Sequence, residues 1–236
     1  LDHLAEWFRG EAGWSNRALI RRLVLSRTYR MASHAADPEL AAQLDPDGGL
    51  LASARRRRLD GESIRDAMLA ISGRWNPQRF GASVPLHLTP FLTGRGRPGR
   101  SGPLDGDGRR SLYLEVRRNF PTPMLTAFDT PNPMTTVGCR NTSNVPAQAL
   151  ILMNAPFVHQ QAKRWAERLL AELPDATPAE RVESMFLRAI GRAPLPHETE
   201  LCLRFLRSED APSDLVDRWT ELAHVIFNLK EFIFLR

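Results

Sequence analysis

The sequence predicts a mainly α fold: an irregular multi-helix bundle with one or two short strands and a long Pro/Gly-rich central loop. Three observations carry that expectation. The C-terminal third reads as amphipathic segments with their own start and stop signals. The first 30 residues repeat apolar positions at three- and four-residue spacing. Between them, residues 76–108 hold Pro77, Pro85, Pro90, Pro98 and Pro103, with glycines crowding the later part and no helical rhythm.

The elements follow in order. Leu1–Arg9 places Leu1, Leu4, Ala5 and Phe8 on one helical face, and Ser15 is an N-cap signal for a second helix over Asn16–Tyr29. Asp37-Pro38 opens a short helix or turn, and Asp45 to Gly49 is a turn cluster. Residues 50–75 read as one or two helices, with Asp60 as a cap and Ile64, Met68 and Ile71 as the buried stripe. Ser111–Val116 alternates Leu112, Leu114 and Val116 with polar neighbours, a strand pattern. The prolines of residues 121–133 force an extended crossing, because a residue before proline is pushed out of the helical region.

Ser143 or Asn144 is read as the cap of a helix with Pro146 in its first turn, and Pro156 starts another, to about Leu170. Thr177-Pro-Ala-Glu180 fits a capping box, and Gly191 stops that helix. A helix follows over Pro196–Leu206, and Ser213 caps the last one. Residues 227–235 are apolar enough to pack. The domain reading is 1–172, with the loop 76–108 and the proline-rich crossing 109–146, then a helical subdomain 173–236 packed on it.

Composition is that of a globular protein, 42% hydrophobic and 25% charged over 236 residues. No stretch approaches the roughly 18 apolar residues that span a bilayer, so no membrane span is expected. The chain opens without Met, on a helix pattern, and is read as part of a longer polypeptide. A missing signal peptide therefore says nothing about compartment. The charge of +5 is concentrated in residues 50–118, which hold fourteen basic and six acidic groups. A basic middle attracts anionic partners, although arginine runs more often form a solvated, partly self-paired face.

Few motifs carry chemistry. Cys139 and Cys202 lie far apart and form no metal framework. The six histidines are scattered, no HExxH or GxSxG occurs, and each histidine reads as surface or cap. The GxG pairs of the loop follow no strand, so no nucleotide loop is expected. Glu62 and Asp66 lie four apart on one helix face beside Arg65. Two carboxylates there are raw material for acid–base work, and more often partners of arginines such as Arg58 and Arg65.

Several long stretches resemble a known family. They are residues 14–33, RRRLDGESIRDAMLAISG at 56–73, RRSLYLEVRRN, FDTPNP, RNTSNVPAQALILMNAPFV at 140–158, IGRAPLPHE at 190–198 and the closing FNLKEFIFLR. Together they resemble the planctomycete domain of unknown function 1553. The resemblance implies the C-terminal module of an exported, multidomain polypeptide, often downstream of a cytochrome-c-like haem domain. It implies no reaction. This stretch has no CxxCH, so no cofactor is expected within it, and haem would sit on an upstream domain.

The polar positions that match the family form the candidate cluster: Arg58, Glu62, Arg65, Asp66, Asp129, Arg140, Gln148 and Asn154. The first expectation is an interaction or structural module whose partner is the upstream domain, outside the cytoplasm. There the cluster fixes the proline-rich crossing to the helices. The alternative is an extracytoplasmic enzyme, acting on polysaccharide or coupled to the haem domain, with Glu62, Asp66 and Asp129 as its acid–base carboxylates. A third is a weak binder of an anionic ligand or of nucleic acid, the latter requiring salt-sensitive binding.

Overall fold

A computed structural model describes residues 1–209 and 211–235. The chain is mainly helical. Its helices are α1 (Asp2–Arg9), α2 (Asn16–Val24), α3 (Pro38–Leu44), α4 (Gly61–Ile71), α5 (Pro123–Ala127), α6 (Pro146–Asn154), α7 (Pro156–Glu172), α8 (Pro178–Ile190), α9 (Pro196–Arg207), α10 (Leu215–Asn228) and α11 (Lys230–Ile233). Two two-residue strands, β1 (Arg57–Arg58) and β2 (Phe234–Leu235), pair as the one sheet among the described residues. The chain divides into two compact units: residues 1–57 with 234–235, and residues 58–233.

The larger unit owns the core. Trp165, Ala166 and Leu169 of α7 face Ala223, Ile226 and Phe227 of α10, all at most 1% exposed. The Trp165 and Phe227 rings sit 5.0 Å apart, and Phe227 meets Phe232 at the same distance. Each such side chain contributes about 1.5–3 kcal/mol on burial. Val182, Met185 and Phe186 of α8 and Ile64, Met68 and Leu69 of α4 complete the interior. Gln161, buried on α7, accepts a hydrogen bond from Ser72 Oγ at the end of α4 (2.7 Å) and so satisfies a polar group the core encloses.

Local signals act largely as their chemistry demands. Thr177 and Glu180 form a reciprocal capping box, and Gly191 ends α8 in the left-handed region at φ 78°. Ser15, Asp37 and Asp60 each accept a backbone N–H at the start of their helices.

Other elements differ from the sequence reading. The second helix ends at Val24 rather than Tyr29. Ser26 donates to Leu23 O and accepts from Tyr29 N, which replaces the helical ladder. Residues 50–56 are not helical, because the Asp45 carboxylate gathers the amides of Leu50 and Ala52. Asp214, not Ser213, caps α10. Neither Ser143 nor Asn144 caps α6. The strand expected over 111–116 is a 3-10 turn, Ser111–Tyr113, followed by a single bridge from Leu114 to Val84, and Leu112 and Val116 stay exposed. The central loop is held to the unit by Leu86, Leu88 and Phe120, which form a small buried cluster.

The smaller unit is built otherwise. None of residues 1–57 is buried. Phe8 and Trp14 meet edge to face at 5.4 Å, and the Arg22 guanidinium lies 4.4 Å over Trp7. These contacts make a satellite cluster, not a core.

Candidate functional site

Helix α4 is the spine of the polar cluster. Asp60 starts it by accepting from Ser63 N (2.7 Å). Helical spacing then puts Glu62, Arg65 and Asp66 on one side. Burial pushes the Asp60 carboxyl upward, but the Ser63 hydrogen bonds and the charges of Arg140 and Arg58 leave it below its ordinary value.

Arg65 is 4% exposed, so its side of α4 is covered and not solvated. It donates to Asp105 O (2.7 Å), Arg109 O (2.9 Å) and Ser111 Oγ (3.2 Å). Burial lowers its pKa, against the pull of Asp66 and Asp105. Asp66 accepts from Ser111 N (2.7 Å) and Ser111 Oγ (2.8 Å), and lies 3.6 Å from Arg110 Nε. Arg74 grips Asp105 through Nε and Nη2 (2.9 and 2.7 Å). This half of the network ties the end of the central loop to α4.

The other half ties down the proline-rich crossing. Arg140 Nη2 donates to Glu62 Oε2 (2.8 Å) and Phe128 O (3.1 Å), and Thr130 Oγ1 donates to Glu62 Oε1 (3.3 Å). Asp129 stands at φ 60°, a left-handed conformation that side-chain partners must hold. Its carboxylate accepts from Ser143 N and Oγ, both at 2.8 Å, and from Arg58 Nη2 at 2.6 Å. Gln148 Nε2 reaches Ser143 O and Oγ (3.2 and 3.3 Å). The Arg58 guanidinium lies 5.2 Å from the Phe128 ring centre, and its Nε and Nη1 are buried without a hydrogen-bond partner.

Seven of the eight sequence candidates thus meet in two linked networks. Asn154 does not join them: it is exposed and donates to Leu150 O of its own helix (2.8 Å). Sequence reasoning did not single out Asp105, Ser111, Thr130 and Ser143. The usable signal for Asp105 was the Asp-Gly-Asp-Gly run, in which Gly106, Asp107 and Gly108 all take positive φ. Ser143 has the residue type of a cap, and its hydroxyl is spent on Asp129.

The chemistry of these carboxylates is that of acceptors. The Ser143 amide, then its hydroxyl and Arg58, hold the Asp129 carboxyl below its usual range against the opposing effect of burial. A general acid needs the opposite shift. Glu62 and Asp66 are likewise engaged by arginine. No cluster of three or more metal-ligating side chains occurs among the described residues. His224 and His159 cap the end of α6, with Nε2 atoms 3.0 Å from Leu152 O and 3.1 Å from Met153 O. Cys139 and Cys202 are free thiols.

Beside Glu62 and Thr130 opens a cleft of about 420 Å³. Leu114, Val116, Phe120 and Leu125 are among its apolar lining residues, and Arg117 and Arg118 line it too.

The stretches that build both networks fall inside a family match. Residues 1–206 match the family described as PSD1, protein of unknown function (DUF1553). The chain belongs to that family. The DUF1553 match takes in α4, the central loop, the crossing and the cleft, and stops within α9. No curated protein and no solved structure matches the chain. Every residue of the two networks therefore lies in the DUF1553 region, while α10, which covers α7, lies beyond it.

Proposed function

We propose that this chain is the interaction module of a larger, exported polypeptide and that it receives a preceding domain of that polypeptide on α2 and the segments that flank it. One observation carries the reading. Residues 1–57 bury nothing, yet expose Trp14, Ile20, Leu23, Leu25 and Tyr29 by 45–69%. Helices of eight or nine residues are marginal in water without a packed face. A partner that buries these side chains would supply about 1.5–3 kcal/mol for each one fully covered.

Charge describes the partner. Residues 12–36 hold Arg17, Arg21, Arg22, Arg27 and Arg30 and no acidic residue. None of these arginines pairs with a carboxylate among the described residues; those of the larger unit that do so are tied internally, from Arg58 to Arg192. The matching surface is apolar with an acidic rim. The polar networks around α4 support the same reading, because they anchor a scaffold instead of presenting a proton donor. The family resemblance would put this assembly outside the cytoplasm, with any haem on the preceding domain.

The test compares the natural longer polypeptide with the chain alone by amide hydrogen exchange. The amides of α2 and its flanking segments exchange at least about tenfold slower in the longer protein. Replacing Ile20 and Leu23 together by Asp removes that protection while residues 58–233 keep theirs. Equal exchange of these amides in the two proteins overturns the proposal.

A further inference from the structure

The cleft beside α4 lies in the other unit and is independent of the docking face. We infer that it is a binding site for a compact organic anion, with the apolar body against Leu114, Phe120 and Leu125 and the acid group at Arg118. Its volume of about 420 Å³ falls in the range of small-molecule sites, which are mostly apolar with a few placed polar groups.

The sign of the ligand follows from which charges are already answered. Glu62 is bound by Arg140 Nη2 at 2.8 Å, and Glu115 is bound by Arg117 Nη2 at 2.8 Å. Both carboxylates of the lining therefore have their own cation. Arg118 also lines the cleft and has no carboxylate partner among the described residues. It is the unanswered charge. A guanidinium binds a carboxylate or sulfonate through two parallel N–H donors, so it fixes orientation as well as charge. A cation would instead have to displace Arg140 or Arg117 from an existing pair.

The walls favour a small and rigid body. Pro121, Pro131 and Pro133 stiffen the backbone around the cleft. Thr130 and Glu62 both line the cleft, and Thr130 Oγ1 donates to Glu62 Oε1 (3.3 Å), which ties two parts of the wall together. The site needs little reorganisation to accept a ligand, which lowers the cost of binding.

The probe is anilinonaphthalene sulfonate, an aromatic anion whose fluorescence rises in apolar sites, beside the uncharged phenylnaphthylamine. Both are titrated into the chain and three variants. Arg118→Glu and Val116→Asp alter exposed cleft residues, and a paired Ile20→Asp, Leu23→Asp variant removes the apolar face of α2. Unchanged melting temperatures show that the variants fold. The expected result is that Arg118→Glu weakens the anion about tenfold and leaves the neutral probe unchanged. Val116→Asp weakens both probes, and the α2 variant leaves a saturable anion site. Loss of all anion binding in the α2 variant alone, or equal weakening of both probes by Arg118→Glu, overturns the inference. Neither outcome bears on docking at α2, which hydrogen exchange reads separately.

Discussion

Arg58 Nη2 meets Asp129 Oδ2 at 2.6 Å, joining the end of β1 to the middle of the proline-rich crossing across 71 positions of sequence. The arginine side chain is 4% exposed and the aspartate 18%. Removing one member of such a pair leaves the other charge buried and unanswered, which costs about 3 kcal/mol or more. Asp129→Ala is therefore expected to lower unfolding free energy by about that amount, read from urea denaturation. Adding Arg58→Met restores a good part of it, since the stranded charge is gone and methionine still packs on Phe128. If the double variant is no more stable than Asp129→Ala, the pair does not carry the coupling assigned to it.

That pair also marks where the sequence was legible and where it was not. Arg58, Asp129, Arg140 and Gln148 stand out in the sequence as polar positions that match the family, and they meet. Who binds whom was not legible. Glu62 pairs with Arg140, 78 positions away, and not with Arg58 or Arg65, because ion pairing is set by tertiary placement and leaves no periodic trace. Helix starts were readable wherever a side chain does the capping, as at Ser15, Asp60 and Thr177. They failed where a nearby residue claimed the cap, as Asp129 claims Ser143. The alternation at 111–116 misled for a similar reason. Asp66 takes both the amide and hydroxyl of Ser111 and bends the chain into a 3-10 turn.

Acid should probe the C-terminal helices through Arg192. It grips Glu198 with Nη1 and Nη2 (2.7 and 2.8 Å) and Glu231 with Nη2 (2.6 Å). The Arg192 hydrogen bonds, against the effect of burial and with help from Leu195 N–H, lower the Glu198 pKa from 4.5 to about 2. A carboxylate with a depressed folded pKa stabilises fully above its unfolded value and loses that contribution as pH falls through the folded one. The window here runs from 4.5 down to about 2. Glu198→Gln should be less stable than the parent near neutral pH, and the gap should close across that window. A gap independent of pH in denaturation series would contradict the ionic origin.

The two thiols should differ in reactivity. Cys139 is exposed, whereas Cys202 is partly covered and burial, then the Glu198 charge, raises its pKa. The thiolate is the nucleophile, so a raised pKa and restricted access both slow attack. With a chromogenic disulfide reagent, the folded protein should show one fast and one slow thiol. Cys139→Ser should abolish the fast phase. Both thiols should appear in denaturant without reductant, because neither is paired. Loss of the fast phase in Cys202→Ser would reverse the assignment.

Gly106 tests whether the buried face of α4 depends on the loop that covers it. It sits at φ 62°, and a Cβ there would lie 2.5 Å from Arg65 Nη2 and 2.7 Å from Leu114 Cδ2. Alanine at such a position loses twice: the left-handed backbone disfavours it, and the buried guanidinium must move from Asp105 O and Arg109 O. Gly106→Ala should cost at least about 1 kcal/mol of unfolding free energy. Gly99→Ala is the control in the same loop, since its Cβ would meet nothing within 4 Å and its φ is not in the strained region. That variant should match or slightly exceed the parent, because alanine narrows the unfolded ensemble. Equal stability of the two variants would mean that the loop does not clamp Arg65, and that the polar side of α4 tolerates exposure.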